Sequence, residues 1–395
     1  MSRRSRVARR TAGALAAALT ATTVSACGGT SAPTAASAAA PTTSLAVSLP
    51  LASGTWATLS MGARSGLKRF WELFYRERDS SRWTLRTPPG VADNGGLVLA
   101  GGSPSELLGG FLPSQHLHFS PLAATRDGGR SWAAEVLPTG LRPGPDSLAT
   151  TAGGETLALS PKDAGEVLAQ RSAEASWRTV ATARSLARTP AARACAPRQI
   201  YAIAAAPGDA AIVASVCAKA GQAGLFARSA STWRAIAPAP PASLAGTPAR
   251  TLRLADVGAT TFTLTRFAAA GGSELVAAWS KDGGNHWAQT GPLRLPKGAQ
   301  VLSAGPGQGR TAYLLTGSGA RASALWTVAG PGAAWQRQPA PPAGTGVVAL
   351  AGKNLDALVT HGTSSEVTSM SLDAASGRWR AIQTIHVPLR LSSSE

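Results

Sequence analysis

The chain has 395 residues and carries 38 Lys or Arg against 20 Asp or Glu, which gives a formal net charge of +18 at pH 7. A basic exterior favours anionic partners, for example phospholipid head groups or acidic wall polymers. Nucleic acid is not an expected partner, because the arginines are scattered along the chain instead of forming a basic patch. Because acidic residues are few, the chain has few carboxylates that could act as a general acid or base.

The first 26 residues have the pattern of a secretory signal peptide. Five arginines lie within the first ten residues, and a run of small and apolar residues extends from Ala12 to Val24. A basic segment, a short apolar segment and a small-residue cleavage site are the three parts of such a signal. The apolar run is shorter than the about 20 residues that a transmembrane helix needs, and no later stretch is long and apolar enough.

The signal ends in Val24-Ser25-Ala26-Cys27, which resembles the bacterial lipobox. The resemblance implies that the Cys27 thiol receives a diacylglycerol, with acyl chains such as palmitate, and that cleavage before Cys27 makes it the N-terminus. Two acyl chains hold a protein firmly in a bilayer, so we expect a lipid-anchored protein on the extracytoplasmic face of the cell membrane. An ordinary secretory signal is the alternative. Both Sec and twin-arginine export remain open, because Arg6 stands where the twin-arginine motif has a bulky apolar residue.

Residues 28–48 are mostly Ala, Ser, Thr and Pro and contain no charge. Such a composition predicts a flexible tether. The predicted organisation is therefore a lipoprotein signal peptide over 1–26, a lipidated Cys with its tether over 27–48, and a folded domain over 49–395. Removal of residues 1–26 takes away five arginines and lowers the formal net charge from +18 to +13.

Cys195 and Cys217 remain once Cys27 is assigned to lipid. An even pair of cysteines in an exported protein favours a disulfide. The pair flanks two apolar runs joined by Pro-Gly-Asp, a pattern typical of a β-hairpin. We expect a disulfide across this hairpin, and two buried free thiols are the alternative.

Tryptophan recurs through the rest of the chain. Successive intervals are 49, 45, 56, 54, 48 and 44 residues, between Trp83, Trp132, Trp177, Trp233, Trp287, Trp335 and Trp379. A period near 49 residues is typical of propellers and other repeat arrays. The stretch 50–395 holds about seven such units, although six or eight remain open.

Each unit also contains short apolar runs that Gly, Pro or Asp residues bound, such as GLVLAGG, ETLALS and TAYLLTG. Runs of this length, rich in Val, Ile, Leu and Thr, predict about four strands per unit. The expected fold class is therefore all-β, a β-propeller of seven blades with about four antiparallel strands each.

Two of the tryptophans end nearly identical octapeptides, TRDGGRSW at 125–132 and SKDGGNHW at 280–287. We expect the Asp to accept hydrogen bonds from backbone N–H groups two residues further on, the Gly residues to supply the positive φ of a tight turn, and the Trp to pack between neighbouring units. The predicted structural residues are Thr125, Asp127, Gly129 and Trp132 in the first copy, and Ser280, Asp282, Gly284 and Trp287 in the second.

These octapeptides resemble the Asp-box, also called the bacterial neuraminidase repeat. In that family the box occupies the turn between the third and the outermost strand of a propeller blade. The other five tryptophans are then degenerate copies. The resemblance implies a sialidase-like propeller and says little about function.

The segment GLKRFWELFYRE at 66–77 fits two patterns. Leu67, Phe70, Trp71 and Phe74 match a helix, whereas alternate apolar residues match a strand. Its position before Trp83 corresponds to the third strand of a blade, so we expect a strand. A basic amphipathic helix in contact with a membrane is the alternative.

Because the Asp-box family includes sialidases, a diverged glycoside hydrolase is one alternative to a binding or assembly module, and a purely structural envelope protein is the other. In sialidases an arginine triad, a Tyr paired with Glu, and an Asp carry the reaction. The string LRLP at 293–296 lies after the second box, so Arg294 is not assigned to the triad. Tyr75, Tyr201 and Tyr313 have no clear Glu partner in the sequence. We therefore expect a binding module without a recognisable active site, and we assign no catalytic residue.

His116 and His118 share one face of a strand or loop edge, but the nearby sequence offers no third metal ligand. We expect neither a metal nor a cofactor, and we expect a monomer. The expected ligand is a protein or a glycan at one axial mouth of the propeller. Residues 103–118 form a longer connection and are a candidate binding rim.

Overall fold

Seven antiparallel sheets follow one another along the chain in the computed structural model. It describes residues 46–62, 69–88, 96–101, 106–112, 121–136, 145–151, 153–171, 175–206, 210–219, 223–257, 259–319, 321–351, 354–361 and 365–388. These residues belong to one compact unit, Ser44–Glu395. Each sheet pairs four consecutive strands in chain order. The prediction of a seven-bladed β-propeller is therefore confirmed.

The strands of the first four blades come in groups of four. Their bounds are β1 (Ser48–Pro50), β2 (Gly54–Gly62), β3 (Arg69–Glu77) and β4 (Thr84–Leu85); β5 (Gly96–Gly101), β6 (Leu107–Leu112), β7 (Pro121–Thr125) and β8 (Ala133–Val136); β9 (Ser147–Thr150), β10 (Thr156–Ser160), β11 (Glu166–Gln170) and β12 (Arg178–Thr182); β13 (Pro197–Ala206), β14 (Ala210–Cys217), β15 (Gly224–Ser229) and β16 (Thr232–Ala235).

Blade 5 has one additional strand, and blades 6 and 7 have four each. Their bounds are β17 (Ala249–Val257), β18 (Thr260–Ala269), β19 (Gly272–Ser280), β20 (Ala288–Gln289) and the additional β21 (Leu293–Pro296), which pairs with β19; β22 (Gln300–Pro306), β23 (Ala312–Ser318), β24 (Arg321–Val328) and β25 (Gln336–Gln338); β26 (Thr345–Ala351), β27 (Asn354–Thr360), β28 (Glu366–Asp373) and β29 (Arg378–His386).

The seven blades share one orientation, since each is an antiparallel meander that starts at its innermost strand. We call the side where the first strand of each blade begins the start face, and the side where it ends the end face. Connections between consecutive blades, and between second and third strands, therefore lie on the start face. Connections from first to second and from third to fourth strands lie on the end face.

The blades pack on one another through the tryptophan repeat. Each of the seven residues stands at the start of a fourth strand or immediately before it. Trp177, Trp233 and Trp335 each pack against a hydrophobic cluster that includes residues of the preceding blade. Trp83 is 1% exposed and donates its indole N–H to Asp356 of blade 7, which joins the two ends of the chain. The period in the sequence is thus the spacing of interblade contacts.

The first described residues lie inside the fold. Ala46 pairs in parallel with Ser303 of β22, and the backbone N–H of Thr58 donates to the Val47 carbonyl at 2.9 Å. Ala46, Val47 and Ser48, which the sequence places in the tether, are at most 8% exposed. The folded unit therefore begins before residue 49. The apolar side chains of this segment bury themselves among the inner strands, although its composition is that of a linker.

The segment at 66–77 fits both a helix and a strand pattern in the sequence. Its residues Arg69–Glu77 form β3, the third strand of blade 1, so the strand prediction is the correct one. Part of the predicted rim at 103–118 is also a strand, β6, and His116 and His118 lie outside the described residues. A five-residue helix, α1 (Ala183–Ala187), and β21 were not predicted. Among the described residues, no helix is both long and apolar enough to cross a membrane.

Candidate functional site

The octapeptide of blade 2 is closed by its own side chains at the end face. Thr125 Oγ1 donates to Asp127 Oδ1 at 2.9 Å and accepts from the backbone N–H of Gly129 at 2.9 Å. The carboxylate then accepts from the backbone N–H of Ser131 at 3.0 Å and from its hydroxyl at 2.6 Å. Gly128 and Gly129 have positive φ, which lets the chain turn back sharply enough for these contacts.

The octapeptide of blade 5 has the same arrangement. Ser280 Oγ donates to Asp282 Oδ1 at 2.8 Å and accepts from the Gly284 N–H at 2.8 Å. Asp282 accepts from the backbone N–H of His286 at 2.9 Å. In both copies the Asp caps an N–H four residues ahead, not the predicted two, because two consecutive glycines at positive φ coil the intervening chain.

These hydrogen bonds hold both carboxylates ionised. Contacts with Ser131 lower the pKa of Asp127, and contacts with His286 lower the pKa of Asp282. A carboxylate already saturated by local donors is a poor general acid. The geometry of the octapeptides therefore suits a turn better than a reaction.

The tryptophans of the two octapeptides pack against the preceding blade. Trp132 approaches Trp56 of blade 1 edge-on, with 6.1 Å between the ring centroids. Trp287 donates its indole N–H to the carbonyl of Ile236 and packs against the cluster between blades 4 and 5. Both residues are partly buried. A wedge of this kind fixes the angle between adjacent blades.

A hydroxyl cluster lies among the inner strands, where blades 1 and 6 meet. The Tyr313 hydroxyl accepts from the backbone N–H of Ser48 at 3.1 Å and lies 3.1 Å from the Ser48 hydroxyl and 3.2 Å from that of Ser303. All three residues are buried. The cluster joins the first strand of the chain to blade 6 through two residues that are 265 positions apart in sequence.

Blade 5 contributes a partly buried Arg and Asp on its first strand. Asp256 accepts from the backbone N–H of Ala205 on the first strand of blade 4, at 2.5 Å. Burial raises the pKa of Asp256 to about 7, against the opposing effects of that N–H and of Arg253. Burial lowers the pKa of Arg253, while Tyr313 and Asp256 raise it. Asp256 stands near the end-face mouth of the axis. Its pKa of about 7 means that this carboxylate changes charge near neutral pH.

Sialidase chemistry would need a free tyrosine hydroxyl beside a Glu. The Tyr75 hydroxyl donates to the Ser53 carbonyl at 2.9 Å, and the Tyr201 hydroxyl accepts from the Thr251 N–H at 2.9 Å. Burial raises the pKa of Tyr201 to about 12. Since Tyr313 is held by Ser48 and Ser303, each of the three tyrosines already has a partner other than Glu.

Arg294 lies on β21 at the outside of blade 5, where it is exposed and donates to the Ala270 carbonyl at 3.1 Å. A shallow open depression on the end face of blade 1 is lined by Ser53, Tyr75, Glu77, Arg78, Asp79 and Ser80. The described residues contain no group of three His, Cys, Asp or Glu side chains arranged to hold a metal ion.

Cys195 and Cys217 form a disulfide, as predicted. Cys195 precedes the first strand of blade 4 and Cys217 ends its second strand, so the bond lies on the start face. The backbone N–H of Lys219 donates to the Cys195 carbonyl at 3.3 Å and continues the same link. The bond fixes a 14-residue insertion, residues 183–196, that contains α1 and was visible in the sequence only as the longest tryptophan interval, 56 residues.

The sequence matches no protein-family model, and it matches no curated protein. Several solved structures resemble the fold. A Lactobacillus plantarum protein aligns at a TM-score of 0.50 with 13% identity, over 85% of this chain and 97% of that one. YCF48 from Cyanidioschyzon merolae aligns at 0.45 with 13% identity, over 88% and 97%.

A prolyl endopeptidase aligns at a TM-score of 0.46 with 10% identity and covers 86% of this chain. The alignment spans 51% of the endopeptidase, so the chain corresponds to about half of that protein. At these identities the resemblance concerns the fold alone. The chain is a seven-bladed β-propeller.

Proposed function

We propose that the protein is a binding or assembly module on the extracytoplasmic face of the cell membrane, attached through an acylated Cys27. The basic signal, the lipobox-like Val24–Cys27 and the uncharged segment that follows support the attachment. The octapeptides support a place among Asp-box propellers, because their Asp, Gly and Trp residues all act on the turn and on the interblade contact.

The observation that carries the proposal is the position of the first strand. The chain that leaves the predicted tether enters the fold directly among the inner strands, where Tyr313 holds Ser48 and Ala46 pairs with Ser303. An anchor connected there transmits any pull to the centre of the propeller rather than to a peripheral strand. Such a connection suits a module that is held at a membrane while it binds something else.

The proposed ligand is a protein or a glycan at the axial mouth on the end face. Asp256 stands near this mouth, and its pKa of about 7 lets it donate or accept a hydrogen bond at neutral pH. The start-face mouth is the side from which the first strand enters, because Ala46 runs parallel to β22. We therefore place the ligand at the end face, away from the entering chain.

Acyl labelling in cells tests the attachment. The parent chain should incorporate labelled palmitate and partition into the detergent phase, and Cys27→Ser should lose the label. The double variant Cys195→Ser/Cys217→Ser is the matched control, since it also removes thiols but keeps Cys27 and should keep the label. An unlabelled parent chain, or a label that survives Cys27→Ser, contradicts the lipoprotein assignment.

Hydrolysis of a fluorogenic sialoside tests the competing function. We expect no turnover by the purified protein above that of a denatured sample. Turnover that Asp256→Asn abolishes would replace the binding module by a glycoside hydrolase.

A further inference from the structure

We propose that five basic side chains on the start face form a docking surface for anionic phospholipid, so that this face lies against the membrane. We call this surface the basic patch; it consists of Arg184, Arg188, Arg193, Arg198 and Lys219. The inference rests on the proposed membrane attachment and adds the orientation of the propeller and the lipid class that it contacts.

The insertion between blades 3 and 4 contributes most of the basic patch. Residues 175–208 contain five arginines and no acidic residue. Arg184 lies in α1 and Arg188 is its C-cap, so the two side chains are one helical turn apart on the same side. All five patch residues are exposed. The patch therefore presents its charge to the outside.

The patch is a rigid surface, not a mobile loop. Leu186 and Ala192 of the insertion are fully buried in the cluster between blades 3 and 4. The Cys195–Cys217 disulfide joins the insertion to the end of β14, and Lys219 Nζ donates to the Arg193 carbonyl at 3.2 Å. Since the positions are fixed by packing, binding a flat surface would cost little ordering of the chain.

The charges of the patch are not neutralised within the protein. None of its five residues forms an ion pair with a carboxylate of the described part of the chain, where all seven ion pairs involve carboxylates at the end face. Those carboxylates are Glu77, Glu106, Glu155, Asp282, Asp356 and Asp373. Glu166, at the start of β11, also lies on the start face, where it pairs in register with Thr182 and accepts a hydrogen bond from Thr179, and Asp163 lies in the adjacent connection. The five basic residues of the patch outnumber these two carboxylates.

The direction of the first strand places the same face toward the anchor. Ala46 runs parallel to β22, so the chain reaches it from the start face. An anchor that precedes Ala46 in the chain therefore favours contact through the start face over contact through the end face.

Phospholipid fits the patch better than other polyanions for two reasons. The predicted anchor supplies a bilayer within reach, and basic side chains close to an anionic bilayer each strengthen binding about fivefold, the factor that corresponds to about 1 kcal/mol. The attraction is confined to about a Debye length, 8 Å at physiological salt. An exposed patch that packing holds in place meets this requirement.

Vesicle binding tests the proposal without the lipid anchor. Residues 28–395 contain every described strand of the compact unit. This chain should sediment with vesicles of phosphatidylcholine and phosphatidylglycerol at 7:3 and not with phosphatidylcholine alone. The triple variant Arg184→Gln/Arg188→Gln/Arg193→Gln should bind at least tenfold more weakly. Raising NaCl from 50 to 500 mM should abolish the binding.

The control removes the same charge from the other face. Arg78, Arg82 and Arg310 are exposed on the end face, and their triple Gln variant should bind like the parent. Equal losses in both triple variants would reduce the effect to net charge and overturn the patch. Binding to neutral vesicles as strong as to anionic ones would overturn it as well. Tighter binding of soluble polyglutamate through the same three arginines would assign the patch to acidic polymers instead.

The two proposals fail separately. If the parent chain incorporates no palmitate, the lipid anchor is contradicted, but the result of the vesicle-binding experiment still stands. Absence of vesicle binding with normal palmitate labelling would remove the patch and leave the anchored module in place.

Discussion

Arg76 donates from Nη1 to Asp356 Oδ2 at 2.7 Å, and the two residues, 280 positions apart, join the first blade to the last. The side chains are 4% and 5% exposed. Trp83 donates its indole N–H to the same oxygen at 3.1 Å. No strand of the described chain crosses from one of these blades to the other, so side chains close the ring.

Removing one partner of this pair should destabilise the propeller strongly. Arg76→Met leaves a buried carboxylate without its cation, which costs about 3–5 kcal/mol. The double variant Arg76→Met/Asp356→Leu should recover part of that loss, because no uncompensated charge remains. Urea unfolding measures both. The exposed pair Arg380 and Asp373 is the matched control, and Arg380→Met should cost less than about 1 kcal/mol; similar losses at both pairs would contradict closure by Arg76.

The octapeptides should act on stability. Trp287→Ala removes an interblade contact. Truncation of a buried aromatic residue to Ala lowers the free energy of unfolding by at least about 3 kcal/mol. We expect this value or less for Trp287, because its side chain is only partly buried. Trp132→Ala should behave alike, and Asp282→Ala should cost less. Thermal unfolding measures these differences. Ile382→Ala, at a 43% exposed side chain, should leave the midpoint unchanged; a Trp287→Ala variant that melts with the parent would remove the structural role.

The disulfide should constrain the start-face insertion. Cys195 and Cys217 enclose a separation of 22 residues, for which loss of the bond costs about 3 kcal/mol. Cys195→Ala/Cys217→Ala should therefore lower the free energy of unfolding by this amount. Alkylation of exported, denatured and unreduced protein should label neither residue. Labelling of Cys195 or Cys217 in that sample would show that the bond does not form in the cell.

Acidification from pH 7 to pH 4 should stabilise the fold through Asp256. Its pKa is about 7 in the fold and 3.8 as the reference value. Between these values the folded chain binds the proton and the unfolded chain does not, so the free energy of unfolding falls as pH rises, by at most about 4 kcal/mol. Asp256→Asn should flatten the curve of unfolding midpoint against pH in this window.

Four other carboxylates also affect how the unfolding midpoint depends on pH. Burial also raises the pKa of Asp356 and of Asp146, so part of the slope should persist in Asp256→Asn. Asp127 and Asp282 have lowered pKa values, and their contribution is lost only as pH falls below about 4. Identical pH profiles for the parent and Asp256→Asn would contradict an ionising role for Asp256.

The blade count and the strands could be read from the sequence because they follow from local patterns. The tryptophan period reports one wedge per blade, and apolar runs bounded by Gly or Pro report single strands. The segment 66–77 shows the limit of such a pattern. Its helix and strand patterns are both present, and the position before Trp83 decided correctly for β3.

The insertion of blade 4 lies beyond local patterns. Its arginines lie close together in the sequence, but only folding shows which face they share and brings Lys219 beside Arg193. The buried position of Ala46–Ser48 is a similar case, because an Ala- and Ser-rich stretch has the composition of a linker whether or not other strands cover it.

The amino-acid sequence by itself determined a seven-fold repeat of short strands, the turns of the octapeptides and the cysteine pair, because these depend on residues close together in the chain. The tertiary structure decided how the ring closes and which charges share a face. Arg76 meets Asp356, and Ser48 meets Tyr313, only after seven blades have been laid around an axis. Contacts between residues more than 250 positions apart depend on the summed angles of all the intervening blades, and no local pattern contains that sum.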